Sequence, residues 1–202
     1  MRKSMMATLV AVLMAAATQA SAQNLLANAG FEDPTSTTTS DGNWFRFASG
    51  GTGFSEESTA APHGGSRHID LQTISSNAFA GVFQKLPVPV SPGQKVIFEG
   101  WHKSVGPFNG TVELKIEWAG APQNRVDLLA LGETYESFMH MATAPAGVTG
   151  ATITYAISSF GAGQSDIQVH IDDFSARVIP EPSTIGLAGL GLLGLVRMRR
   201  RK

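Results

Sequence analysis

The 202-residue chain contains no cysteine, which removes both a disulfide framework and a lipid-anchored thiol and leaves stability to an apolar core or a bound ion. It also lacks an unbroken apolar run of the ~20 residues that an unassisted bilayer span needs; the two longest apolar stretches are Met5–Ala17 and Ile185–Val196. Its five histidines, His63, His68, His102, His140 and His170, are scattered without HExxH-type spacing, so they spell no zinc-hydrolase site. "GGSRH" lacks the glycine that a nucleophile elbow places after the serine. "GAGQS" has two glycines but no helix follows it, which excludes a phosphate loop. Glycosidases need two carboxylates across a cleft, and Glu99, Glu113 and Glu117 read instead as acids on the solvated faces of strands. No active site is legible.

What is present at the two ends reads as targeting. Met1 to Ala22 carries Arg2 and Lys3, an apolar stretch and Ala20-Ser21-Ala22, the order of a secretory signal peptide that a translocon and signal peptidase handle, with cleavage after Ala22. The other end, "IPEPSTIGLAGLGLLGLVRMRRRK", combines Pro180-Glu181-Pro182, a twelve-residue apolar run and a cluster of arginines. The prolines hold Glu181 in extended backbone that a processing enzyme can grip, the run forms a short membrane helix, and Arg197 to Lys202 stays cytoplasmic by the positive-inside tendency. Seven of the 15 basic residues lie in these ends. Eight therefore face 16 acidic residues between Gln23 and Pro182, a formal charge of −8, which disfavours nucleic acid and favours cations or neutral sugars.

Between the ends, roughly 160 residues suffice for one domain with a substantial core. "TVELKIEW" (Thr111 to Trp118) puts Val112, Leu114, Ile116 and Trp118 on one face and Glu113, Lys115 and Glu117 on the other, the period-2 pattern of a half-buried strand. "ATITYAIS" and "DIQVHID" repeat it. Further strands are expected at Trp44 to Ala48, Arg67 to Gln72, Ala78 to Val88, Val96 to Ser104 and Ser137 to Thr143, separated by turn formers such as "VSPGQ", "GPFNG" and "GAPQN". Many antiparallel strands and no helical period predict an all-β, jelly-roll β-sandwich over residues 23–178, between a signal peptide (1–22) and a C-terminal sorting segment (179–202).

Two family resemblances follow from these pieces. Val178 to Lys202 resembles the PEP-CTERM sorting signals of exopolysaccharide-producing Gram-negative bacteria, which implies an exosortase-type processing enzyme as partner. It also implies transient anchorage in the inner membrane, then release to the cell surface or extracellular matrix. Asn24 to Val178, read as "NLLANAGFED", Trp44, "APHGGSRHIDLQ", "AGVFQKLPVPVSPGQKVIFEGWHKS", "VELKIEW", "FMHMATAPAGVTGATITYAIS" and "VHIDDFSARV", resembles the jelly-roll, galactose-binding-like carbohydrate-binding modules of bacterial xylanases and cellulases. The chain departs from that family at "GETYESF", where a Trp is common and Tyr135 is the candidate substitute.

The resemblance implies a structural calcium where first and last strands meet, held by Glu32 and Asp172, with Asp173 as the other acid and carbonyls near Gly64 to Ser66 as neighbours. Carboxylates and carbonyls suit a hard cation; the alternative is that Glu32 sits on a solvated turn and the aspartates end a strand. Sugars stack on exposed aromatics beside planar polar groups, which makes Trp44, Gln84, Glu99 and Trp101 the candidate ligand contacts. Against that, a sandwich places most large rings between its sheets, and Trp118 shares parity with core positions. The expected function is an exported, exosortase-processed protein that associates with exopolysaccharide through a carbohydrate-binding-like domain. A structural or adhesion matrix protein is the alternative, and a glycan-active enzyme has less support.

Overall fold

The computed structural model describes residues 23–35 and 43–179; the signal peptide, Pro180-Glu181-Pro182 and the apolar tail expected above lie outside the described residues. All regular structure among the described residues is β. The strands are β1 (Phe45–Ala48), β2 (Gly53–Ser58), β3 (His68–Thr73), β4 (Phe79–Lys85), β5 (Lys95–Ser104), β6 (Thr111–Trp118), β7 (Asn124–Leu128), β8 (Glu136–Thr143), β9 (Ala151–Ser158) and β10 (Ile167–Ile179). They form two five-stranded antiparallel sheets, a first in the order β1-β4-β9-β6-β7 and a second in the order β2-β3-β10-β5-β8. From β4 onward the chain passes repeatedly from one sheet to the other, and the architecture is the expected jelly-roll sandwich.

Side-chain alternation accounts for the layers. In the first sheet Val112, Leu114, Ile116, Ile153, Tyr155 and Ile157 are buried against Ile69, Leu71, Phe98, Val169 and Ile171 of the second. The period-2 pattern would then send Phe174 outward, but β10 shifts register against β5 between Asp172 and Ser175, and Asp173 takes a left-handed φ of 49°. This bulge keeps Asp172 and Asp173 both outside the core and returns Phe174, Ala176 and Val178 to the inner face. The Phe174 ring lies 5.1–5.6 Å, centroid to centroid, from those of Phe31, Trp44, Phe98, Phe138 and Tyr155.

The start of the described chain is tied to the same strand. Asn24 accepts from Ala176 N at 2.9 Å and donates to Phe174 O at 3.0 Å, and Leu25 N donates to Ala176 O. Gln84 continues this closure from β4, its amide accepting from Ala27 N at 2.7 Å and donating to Ala27 O at 3.1 Å. Two expected ligand contacts are corrected here. Gln84 is buried with both amide ends spent on Ala27. Trp44 is wholly buried against Phe31 and Phe174, with Nε1 donating to Asn28 O at 3.1 Å, so neither has a face to offer a sugar.

Two strands were not anticipated. β2 (GFSEES) and β7 (NRVDL) are edge strands with few apolar residues; in "GAPQN" the turn signal hid the start of β7. β4 stops before the expected Val88, because Pro87 and Pro89 have no N–H to extend a ladder. Phe174→Ala should lower the unfolding free energy by about 3–5 kcal/mol, whereas Trp101→Ala, on the outer face, should cost well under half of that; urea denaturation of the two variants checks the ranking.

Candidate functional site

The loop before β3 lies across the outer face of the second sheet, and the acids expected to bind calcium fasten it there. Asp172, fully buried, accepts from His63 N at 2.9 Å, Gly64 N at 3.1 Å and Asp173 N at 2.8 Å. Burial nevertheless pushes its pKa up to about 6, with the neighbouring Asp173 charge adding to the effect. Glu32 accepts from the Ser66 hydroxyl and from Ser66 N and Arg67 N, bonds that hold its carboxyl below the ordinary range. Glycines are required where these acids pack: a Cβ on Gly65 would sit 2.0 Å from Glu32 Oε1, and one on Gly64 would sit 2.6 Å from Asp173 Oδ2. Among the described residues no group of three or more His, Asp or Glu side chains is arranged to hold a metal.

Beside this loop the structure brings Asp173, expected at the metal site, together with two of the expected ligand contacts. Glu99 and Trp101 of β5 and Asp173 of β10 line one groove of ≈ 460 Å³ with Ser137, Met139 and Ser175. The Trp101 indole stacks on the His63 imidazole, centroids 4.2 Å apart and planes 16° apart; His63 Nδ1 is 2.7 Å from Asp173 Oδ2. Glu99 is paired with Arg177. Tyr135 does not line the groove; it meets the edge of His63, and its hydroxyl donates to Ala61 O at 3.3 Å.

A larger groove, ≈ 730 Å³, lies on the outer face of the first sheet, where no ligand contact was expected. Phe47, Phe79 and Phe160 line it and end a chain of five rings on this face: Phe45–Phe83 at 4.9 Å, Phe83–Phe47 at 6.0 Å, Phe47–Phe79 at 6.2 Å and Phe79–Phe160 at 6.3 Å. Phe79 and Phe160 are 36% and 56% exposed. Opposite them stand Glu113, Lys115 and Arg125, with Glu113 Oε2 2.5 Å from Lys115 Nζ and 3.3 Å from Arg125 Nη1, and its Oε1 accepting from Ser158 Oγ at 2.7 Å. A readable signal existed. Phe45 and Phe47 have parity opposite to buried Trp44, and Phe79 and Phe83 opposite to buried Ala80 and Val82, so β4 carries apolar residues on both faces. Gly81 leaves the necessary room, since a Cβ there would lie 2.5 Å from the Phe47 ring.

The chain's relatives can be set against this geometry. Residues 178–202 match the PEP-CTERM protein-sorting motif. This marks an exported protein sorted through the membrane, with exosortase processing implied. No curated protein is significantly similar in sequence to the chain. Among solved structures it is similar to TmCBM61 in complex with β-1,4-galactotriose (TM-score 0.55, 17% identity, 77% of this chain and 99% of that one). It is likewise similar to the CBM22-1 xylan-binding domain of Paenibacillus barcinonensis Xyn10C (0.51, 12%, 74% and 91%). A cyclase from Fischerella sp. TAU matches as well (0.58, 16%, 79% and 98%). In a bacteriophage CBA120 tailspike domain the chain spans 21% of its partner. At these identities the likeness establishes the carbohydrate-binding-module-like jelly roll and nothing about ligand.

Burial also governs the histidines. His68, under the loop before β3, has neither ring nitrogen hydrogen-bonded. Burial first, then the neighbouring His170 and Lys103, press its pKa down to about 4, against the pull of Asp70. His102, bonded to the Tyr155 hydroxyl at 2.8 Å, is likewise held at about 4 by burial, against the pull of Glu136. Above the unfolded value of ~6.5 both states are neutral; as pH falls from there toward 4 the unfolded chain takes up protons first and stability is lost. Asp172, raised to about 6 by burial, and Asp70, raised by burial as well, oppose this over part of the range, but His170, also held at about 4 by burial, and His140, lowered by burial, act with His68 and His102. Thermal melts should show the midpoint falling between pH 7 and 4.5, and His68→Leu should flatten that fall.

Proposed function

We propose that the domain binds a neutral polysaccharide across the phenylalanine groove of the first sheet. In this reading the exported and processed protein associates with exopolysaccharide at the cell surface or in the extracellular matrix. The observation that carries the proposal is a run of phenylalanine rings, three of which, Phe47, Phe79 and Phe160, line the groove together with Glu113, Lys115 and Arg125 on the same sheet face. Sugar rings present C–H faces that stack on aromatic rings and hydroxyls that pair with planar polar groups, and the groove supplies both. Because Lys115 and Arg125 are balanced by Glu113 and by Asp127, whose carboxylate Arg125 also engages, and the mature chain is acidic, a neutral polymer fits better than a polyanion. The groove's carboxylate is already engaged by two cations and a hydroxyl, an arrangement suited to binding rather than to proton transfer.

Affinity electrophoresis of the exported chain through gels containing soluble neutral glycans tests this. Phe79→Ala combined with Phe160→Ala should weaken retention at least tenfold with little change in melting temperature, while raised salt should leave wild-type retention nearly intact. Retention unaffected by the double substitution would remove the groove from the site and favour the adhesion alternative. A structural calcium at the junction of Glu32, Asp172 and Asp173 belongs to the same proposal. Chelation should lower the melting temperature and added calcium restore it; indifference to both would dispose of the ion.

A further inference from the structure

We infer that the groove beside Trp101 is a second glycan subsite, independent of the phenylalanine groove, so that one chain bridges two polymer strands. The inference rests on the glycan-binding reading above for the first face, but its own site is built from different residues. Of the three tryptophans, Trp44 and Trp118 are core; Trp101 stands on the outer face of a central strand, lining a groove with two carboxylates, Glu99 and Asp173, and two hydroxyls, Ser137 and Ser175. An aromatic ring flanked by such acceptors and donors is the chemistry that takes a hexose or pentose ring.

The site is also held in place before any ligand arrives. His63 covers one face of the indole by stacking, and His63 is in turn fixed through Nδ1 to Asp173 and through its backbone N–H to buried Asp172. Fixing the ring in advance spares the rotamer entropy that ordering it on binding would cost. Phe45, Phe47, Phe79 and Phe83 belong to the first sheet and Glu99 and Trp101 to the second, and the two grooves have no lining residue in common. Both grooves lie on outward faces of sheets packed ~10 Å apart, so they open on opposite sides of the sandwich. A short oligosaccharide therefore occupies one or the other, and a polymer solution meets a divalent linker.

Calorimetric titration with β-1,4-galactotriose and with xylohexaose, and light scattering with the corresponding polymers, test the inference. The wild-type chain should bind two oligosaccharides, shift its tryptophan emission and cross-link polymer into scattering aggregates. Trp101→Ala, and independently Glu99→Gln, should reduce the stoichiometry to one and abolish cross-linking while thermal melts confirm the fold. Phe79→Ala with Phe160→Ala should leave the single Trp101 site. Unchanged stoichiometry and scattering in Trp101→Ala would overturn the inference and leave the first face standing. Binding carried wholly by Trp101 would overturn divalency and the phenylalanine reading together, and binding of neither probe would overturn the second subsite.

Discussion

One extra residue in β10 is the constraint on which the rest depends. With strict alternation after Ile171, Asp173 would enter the core and Phe174 would point to solvent. The bulge reverses both placements. Phe174 becomes the ring around which Phe31, Trp44, Phe98, Phe138 and Tyr155 pack, and two adjacent carboxylates are delivered to the outer face, where they capture the loop before β3. That loop carries His63, so the orientation of Trp101 is set by a kink in the neighbouring strand, beginning at Trp101's own register partner Asp172. Core packing and the second groove are consequences of the same local irregularity.

How far the sequence disclosed this depends on which physical rule dominated each segment. "TVELKIEW" became β6 with the expected bounds and Trp118 in the core, because a half-buried strand needs nothing beyond alternation. Glu99 and Trp101 were paired correctly by strand parity. Trp44 and Gln84 were misassigned, because parity says which residues share a face and not which face is covered: the segment from Asn24 to Phe31 crosses there and takes both into the interior. The phenylalanine groove escaped notice for the complementary reason. β4 alternates Phe79 and Phe83 with Ala80 and Val82, and a strand apolar on both faces has one that does not meet the opposing sheet.

The likeness to carbohydrate-binding modules and to a cyclase on the same architecture shows why function has to be argued from side chains. A jelly roll offers two outward sheet faces, and its backbone does not say what is placed on them. Here one face holds a row of phenyl rings beside paired charges and the other a stacked indole among acids. These are different surfaces supported by a single core, and substitutions on one are physically insulated from the other by the layer of Ile, Val and Leu side chains between the sheets.

The course of β10 also orients the molecule. Its last residue, Ile179, pairs with Lys95 at the end of the sandwich where β8 finishes and β9 begins, and Pro180 follows at once with no spacer. Phe79, Ser158 and Phe160 stand at the other end, near where β10 starts, and a strand of 13 residues at roughly 3.3 Å each puts about 40 Å between the two. The described domain is therefore left by the chain at one end while Phe79 and Phe160 occupy the opposite one, so that whatever follows Ile179 and whatever meets those two rings are kept a full strand's length apart.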